Sequence, residues 1–316
     1  MVYGWRFAKK VGADFNMIWL PTTRKYIPED GKHFDISYIL DVFDLNTDEF
    51  FKDLNIINGD IDVDINYPHV KEVLKIDSPK GRNIEPFELY RYGHKFIADD
   101  LVGYRFNNES RHNIYQDVSR LFSLLPINKF LLKELDCFFE KIGTTQFVIV
   151  HIRRGDVIRV LRENISKGNV ADDDLKQFVM RTSPLSCYSE TLTDLNLERD
   201  VRIIISSDCE ESANKFKKLI NSDDAFILGD YEFDALPIQK SFFDFLVFTK
   251  AMHVIGTKSS VYGKYGAIFG KNSFYNVLDT YTESLLLNHF EDEILQKVDV
   301  PDVEIEHLKK RLLSFI

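Results

Sequence analysis

The feature that most constrains this chain is an apolar run, Gln146-Phe147-Val148-Ile149-Val150, followed at once by His151-Ile152-Arg153-Arg154-Gly155-Asp156. A β-branched stretch of this length reads as a strand buried on both faces, the signature of a parallel sheet. Open α/β sheets bind ligands outside the carboxyl ends of their strands. A histidine, two adjacent arginines and an aspartate at such an end are ill suited to a core. Two guanidiniums fixed there suit a polyanion, and a diphosphate matches the bidentate fork of arginine.

Downstream the pattern alternates. Helices are expected at 172–181, 186–195, 211–220, 242–252 and 259–269. Strands are expected at 201–206, 225–228, 253–256 and 273–278. This alternation implies a Rossmann-like domain with a parallel sheet, and Val303 to Phe315 reads as an amphipathic helix. Residues 151–156 are expected to form a loop. Upstream the text is less regular. A helix is expected from Arg6 to Gly12 and a strand from Phe15 to Leu20. Short strands are expected near 70–76 and 95–97. A helical region should run from 114 to 142, interrupted by Pro126. The expected division is a first domain at 1–142, a nucleotide-binding domain at 143–290 and a C-terminal helix at 291–316.

Composition narrows the functions. A net charge of −10 argues against broad nucleic-acid binding, which needs a basic face. Cys137, Cys187 and Cys209 have no metal-site spacing and suggest no disulfide framework, which fits a cytoplasmic setting. No apolar run reaches the roughly 20 residues of a spanning helix, so any membrane contact is expected to be peripheral. The first residues do not read as a signal peptide.

Val150 to Asp156 resembles the motif shared by α1,2- and α1,6-fucosyltransferases and, more loosely, protein O-fucosyltransferases. The resemblance continues through Ile203-Ile204-Ile205-Ser206-Ser207-Asp208, Phe243-Asp244-Phe245-Leu246 and His253 to Ser260, covering about residues 146 to 270. It implies a GT-B-like α/β fold of two Rossmann-like domains, of which the C-terminal one is the clearer here. It further implies GDP-fucose as donor, a glycan acceptor, inversion at the sugar carbon, and no metal or other cofactor. By this resemblance His151 would lie against the guanosine, and Arg153 would bind the β-phosphate. Arg154 would support that geometry, and Asp156 would orient the loop. Ser259 and Ser260 would offer hydroxyls and N–H groups to phosphate, a role open to helix N-termini, or simply cap the helix. Either Asp230 or Asp234 would read guanine. Asp208 could cap a strand end or touch nucleotide, and Asp244 could line the cleft or make a buried structural bond. Arg153, Arg154 and Asp156 are the candidate catalytic residues.

Two departures matter. The family opens with a strand and a glycine-rich loop before its first helix, whereas this sequence begins where that helix should already run. The general base also has no clear match: Glu163 lies near its place but out of register. The alternatives are therefore an inactive nucleotide-sugar-binding homologue, or a GT-B transferase with another nucleotide sugar. Asp172-Asp173-Asp174 resembles an acidic metal motif of another glycosyltransferase class, but at a helix start it reads as carboxylates complementing the dipole.

Overall fold

The computed structural model describes residues 110–316 except 199, 223, 224, 258 and 259. Upstream it describes residues 5, 6, 9, 15–18, 42, 43, 54–57, 72–76, 87–92 and 95–97. Two compact units divide the chain, residues 1–132 and 133–316. The division falls inside a helix, upstream of the boundary read from the sequence.

In the first unit β1 (Phe15–Ile18) pairs in parallel with β2 (Leu54–Ile57). Three further strands, β3 (Glu72–Ile76), β4 (Phe87–Tyr92) and β5 (Lys95–Ile97), form an antiparallel sheet. The expected helix at 6–12 is helical at residues 6 and 9 and otherwise lies outside the described residues. Ser110 starts α1 (Arg111–Phe122), its hydroxyl accepting from the Asn113 N–H at 3.1 Å. As Pro126 predicts, the helical region splits, and α2 (Lys129–Ile142) follows it.

The second unit is built on a five-stranded parallel sheet of order β10-β9-β6-β7-β8. These strands are β6 (Phe147–Ile152), β7 (Arg202–Ser207), β8 (Phe226–Ile227), β9 (His253–Gly256) and β10 (Ser273–Asn276). The fold of this unit is therefore α/β. Every residue of β6 is buried, because helices cover both of its faces. Alternation along the strand sends Val148, Val150 and Ile152 to one face. There they pack with Tyr188 of α5 (Leu185–Asp194) and Phe216 of α6 (Glu210–Leu219). Phe147 and His151 face the other side. Phe139 of α2 lies 5.8 Å from the Phe147 ring, and Phe248 of α7 (Pro237–Lys250) lies 5.2 Å from His151. The expected third strand at 225–228 shortens to two residues, because Leu228–Asp230 turns into a 3₁₀ helix.

Two helices were not legible as helices. The expected loop at 151–156 is instead the end of β6, two linking residues and the start of α3 (Gly155–Ser166). Val157, Ile158, Leu161 and Ile165 are buried, at a spacing that gives α3 one apolar face. The second is α9 (Glu283–Glu293), which buries Leu286, His289 and Phe290. With α4 (Asp172–Arg181) and α10 (Asp302–Leu313), these helices close a second core around Leu161, Phe178, Phe290, Ile294, Leu308 and Leu312. Residues 291–316 thus belong to a helical layer of the second unit.

Leu308 is 1% exposed inside this layer. We expect Leu308→Ala to lower unfolding free energy by about 2–5 kcal/mol, the range for emptying a packed leucine site. Urea denaturation followed by circular dichroism measures this. A loss below about 0.5 kcal/mol would mean that α10 is a loosely attached tail.

Candidate functional site

From β6 the chain builds outward to β7 and β8, then returns to the other side of β6 for β9 and β10. Strand order therefore reverses between β6 and β9, whose residues His151 and Gly256 stand side by side. A reversal of this kind opens a crevice at the carboxyl ends of the two strands. The segments leaving those ends are Arg153 to Asp156 and Thr257 to Ser260.

The turn from β6 into α3 is closed by Asp208, just beyond β7. Its Oδ1 accepts from the Arg154 N–H at 2.8 Å and the Gly155 N–H at 3.0 Å. These are donors that a helix N-terminus otherwise offers to an anion. The α3 terminus is thus filled by the protein's own carboxylate, and Asp208 acts as a cap. Gly155 is needed for the close approach, because a Cβ there would stand 2.7 Å from the Asp208 carbonyl oxygen.

The two arginines diverge. Arg153 keeps a half-exposed side chain, 41%, and pairs with Asp156 at 3.3 Å. An exposed pair like this contributes at most about 1 kcal/mol, so an incoming anion can replace the carboxylate at small cost. Arg154 turns inward and is wholly buried. Its Nη2 lies 2.8 Å from Oε1 of Glu293, at the end of α9. The contact is close but poorly directed, and all three guanidinium nitrogens lack a hydrogen-bond partner.

His151 sits under the first turn of α8 (Val261–Gly270), 5.9 Å from the Tyr262 ring and against Gly263, where a Cβ would meet its Cδ2 at 3.3 Å. Burial, and then the charge of Arg153, lower its pKa to about 4, so the ring is neutral at working pH. Both ring nitrogens and the hydroxyl of Thr257 are buried without a hydrogen-bond partner. Orphaned buried polar atoms cost about 1–3 kcal/mol each, and here they concentrate at the end of the sheet where β6 and β9 part. Ser260 caps α8, accepting weakly from the Gly263 N–H at 3.4 Å. Ser259 lies outside the described residues. On α7, Asp244 couples electrostatically to Tyr262, and burial pushes its carboxyl up to about 7.

The other candidates stand apart. Asp230 and Asp234 are exposed on the segment after β8, the edge strand two places from β6. Tyr231 and Phe233 alternate with them and turn inward, with ring centroids 5.2 and 4.8 Å from Phe243. Asp172 and Asp174 serve the α4 terminus: Asp172 pairs with Arg311 at 2.7 Å, and Asp174 accepts from the Ala171 N–H at 2.9 Å. Among the described residues, no group of three or more His, Cys, Asp or Glu is arranged to hold a metal. Glu293 was not anticipated. Its only signal is a carboxylate ending an amphipathic helix, and nothing local ties it to residue 154.

No protein-family model matches the chain, and no curated protein matches it. Among solved structures, it is similar to the fucosyltransferase NodZ from Bradyrhizobium at 13% identity and TM-score 0.33, over 48% of this chain and 45% of that one. POFUT1 in complex with GDP-fucose aligns at 13% identity and TM-score 0.33, over 50% of this chain and 49% of that one. Apo POFUT1 aligns at 12% identity and TM-score 0.40, over 87% of this chain and 91% of that one. In the first two alignments the chain spans under half the length of its match.

Two outcomes follow from this geometry. Gly155→Ala should destabilise the second unit by about 1–3 kcal/mol, the cost of overpacking against backbone. Unchanged urea unfolding would refute the tight Gly155–Asp208 approach. For Asp244 the folded pKa, about 7, lies above the reference value of 3.8. The folded state then holds the extra proton, so this group's stabilising effect is present below pH about 4 and is lost as pH rises to about 7. Asp244→Asn should remove that slope and gain on the order of 3 kcal/mol above neutrality. A difference between wild type and variant that stays flat across this range would refute the assignment.

Proposed function

We propose that this chain is a glycosyltransferase that uses GDP-fucose and moves fucose to a glycan hydroxyl in one inverting displacement. The observation that carries the reading is the half-exposed Arg153 at the carboxyl end of β6, where strand order reverses, within the Val150 to Asp156 motif. A departing diphosphate develops charge that a preorganised cation stabilises, often the largest single contribution to catalysis. Arginine supplies that charge at any working pH, so the step needs no metal. With the α3 terminus filled by Asp208, we assign phosphate to the α8 terminus, where the Ser260 cap is weak at 3.4 Å.

In this reading Arg153 binds the β-phosphate, and Asp156 holds Arg153 until the donor displaces it. Arg154 supports the turn from within. His151, neutral and close under α8, backs the nucleotide, and Asp230 or Asp234 reads guanine. The second unit, residues 133–316, carries the nucleotide-sugar site, and residues 1–132 supply the acceptor side. The partners are the nucleotide sugar and the glycan, with no nucleic acid and no additional cofactor, and the setting is cytoplasmic.

GDP at 100 times its dissociation constant should stabilise the protein by about 2.7 kcal/mol, read as a thermal shift that UDP does not reproduce. Arg153→Ala should lower fucosyl transfer by about 10²-fold or more. GDP binding without turnover in wild type would mark an inactive homologue. A preference for UDP, or near-normal transfer by Arg153→Ala, would overturn the assignment.

A further inference from the structure

We propose that Glu293 is a positioning residue for the arginine turn. Its carboxylate holds Arg154 inward, and this fixes the backbone of residues 153–155 so that Arg153 stays at the crevice. The functional consequence rests on the donor-binding reading above, while the latch itself does not.

Arg154 needs a counter-charge. Its side chain is 1% exposed, and a buried guanidinium cannot give up its proton. The groups around it do not provide one. His289 is kept neutral by burial and by the charge of Arg154 itself, its pKa lying well below the ordinary value. Burial holds the hydroxyls of Tyr188 and Tyr281 in their neutral forms. Asp208 turns its Oδ1 to the Arg154 and Gly155 amides and forms no ion pair with the guanidinium. Glu293, with a side chain 12% exposed, supplies the negative charge at 2.8 Å.

The carboxylate is itself held in place. Arg162 donates from Nε to the main-chain carbonyl of Glu293 at 2.7 Å and brings Nη2 within 3.8 Å of Oε2. Arg154 precedes α3 and Arg162 lies two turns along it, and both reach Glu293. The turn and the helix thus both hold the end of α9, whose Leu286 and Phe290 share one buried cluster with Ile158 and Leu161 of α3. This carboxylate ties the helical layer to the motif. Without it, Arg154 would be drawn toward solvent, carrying with it the amides that Asp208 binds.

Hydrogen exchange at single amides tests this. In Glu293→Gln the Arg154 and Gly155 amides should exchange at least ten-fold faster, while Val148 and Ile204 in the sheet keep their protection. Glu293→Asp should recover part of the effect. A uniform rise across the unit, or no rise, would overturn the proposal in favour of a merely stabilising ion pair. Should Glu293→Gln not fold, Arg154→Met with Glu293→Gln removes both charges together. That pair should fold and still show the faster Gly155 exchange, and wild-type protection there would overturn the proposal. Calorimetry with GDP, at a temperature where every variant is folded, should give an affinity at least five-fold weaker in Glu293→Gln. An unchanged affinity would overturn the positioning role. A wild type that does not bind GDP would instead overturn the donor reading and leave the exchange result to decide the latch.

Discussion

The two hydrogen bonds from the Arg154 and Gly155 amides to Asp208 set the geometry on which the rest of this site depends. They end β6, start α3 and fix the conformation between them. Consecutive side chains in so tight a turn must leave in different directions. One arginine is carried into the interior and the other to the surface. The same bonds fill the α3 terminus with a carboxylate and leave Arg153 as the half-exposed cation of this turn. The glycine of the motif follows from the same contact, since a β-carbon would collide with the main chain of Asp208.

Electrostatics at this end of the sheet are set by burial more than by pairing. His151 is neutral because it is dry and near Arg153, and Asp244 is raised because it is dry. Arg153 is the half-exposed cation among them, and it is lightly held. An arrangement with a neutral ring, a removable carboxylate and a permanent cation can accept an anion without first breaking a costly buried pair. The costly pair, Arg154 with Glu293, lies behind the turn and has no need to break.

Much of the second unit was legible because its periodicities are clean. The strands at 202–207 and 253–256, and the helices at 172–181 and 302–313, follow from apolar runs and helical spacing. The start of α3 was hidden by the motif itself. His151 to Asp156 is so polar that it reads as a loop, although Val157, Ile158, Leu161 and Ile165 carry the helical period just beyond. The short β8 was overestimated because Phe226, Ile227 and Leu228 are all apolar, while the turn at Leu228–Asp230 depends on Tyr231 and Phe233 packing on Phe243.

The sequence by itself determined the α/β class of the second unit, the place of the motif at a strand end, and the chemistry available there. Those are consequences of local periodicity and side-chain type. Only the tertiary structure decided that Arg153 and Arg154 have opposite environments, that Asp208 caps α3, and that Glu293 meets Arg154. It also set Asp230 and Asp234 two strands away from β6. Each of these depends on strand order and helix packing between segments far apart in the chain. A local pattern carries no information about which distant carboxylate will neutralise a buried charge.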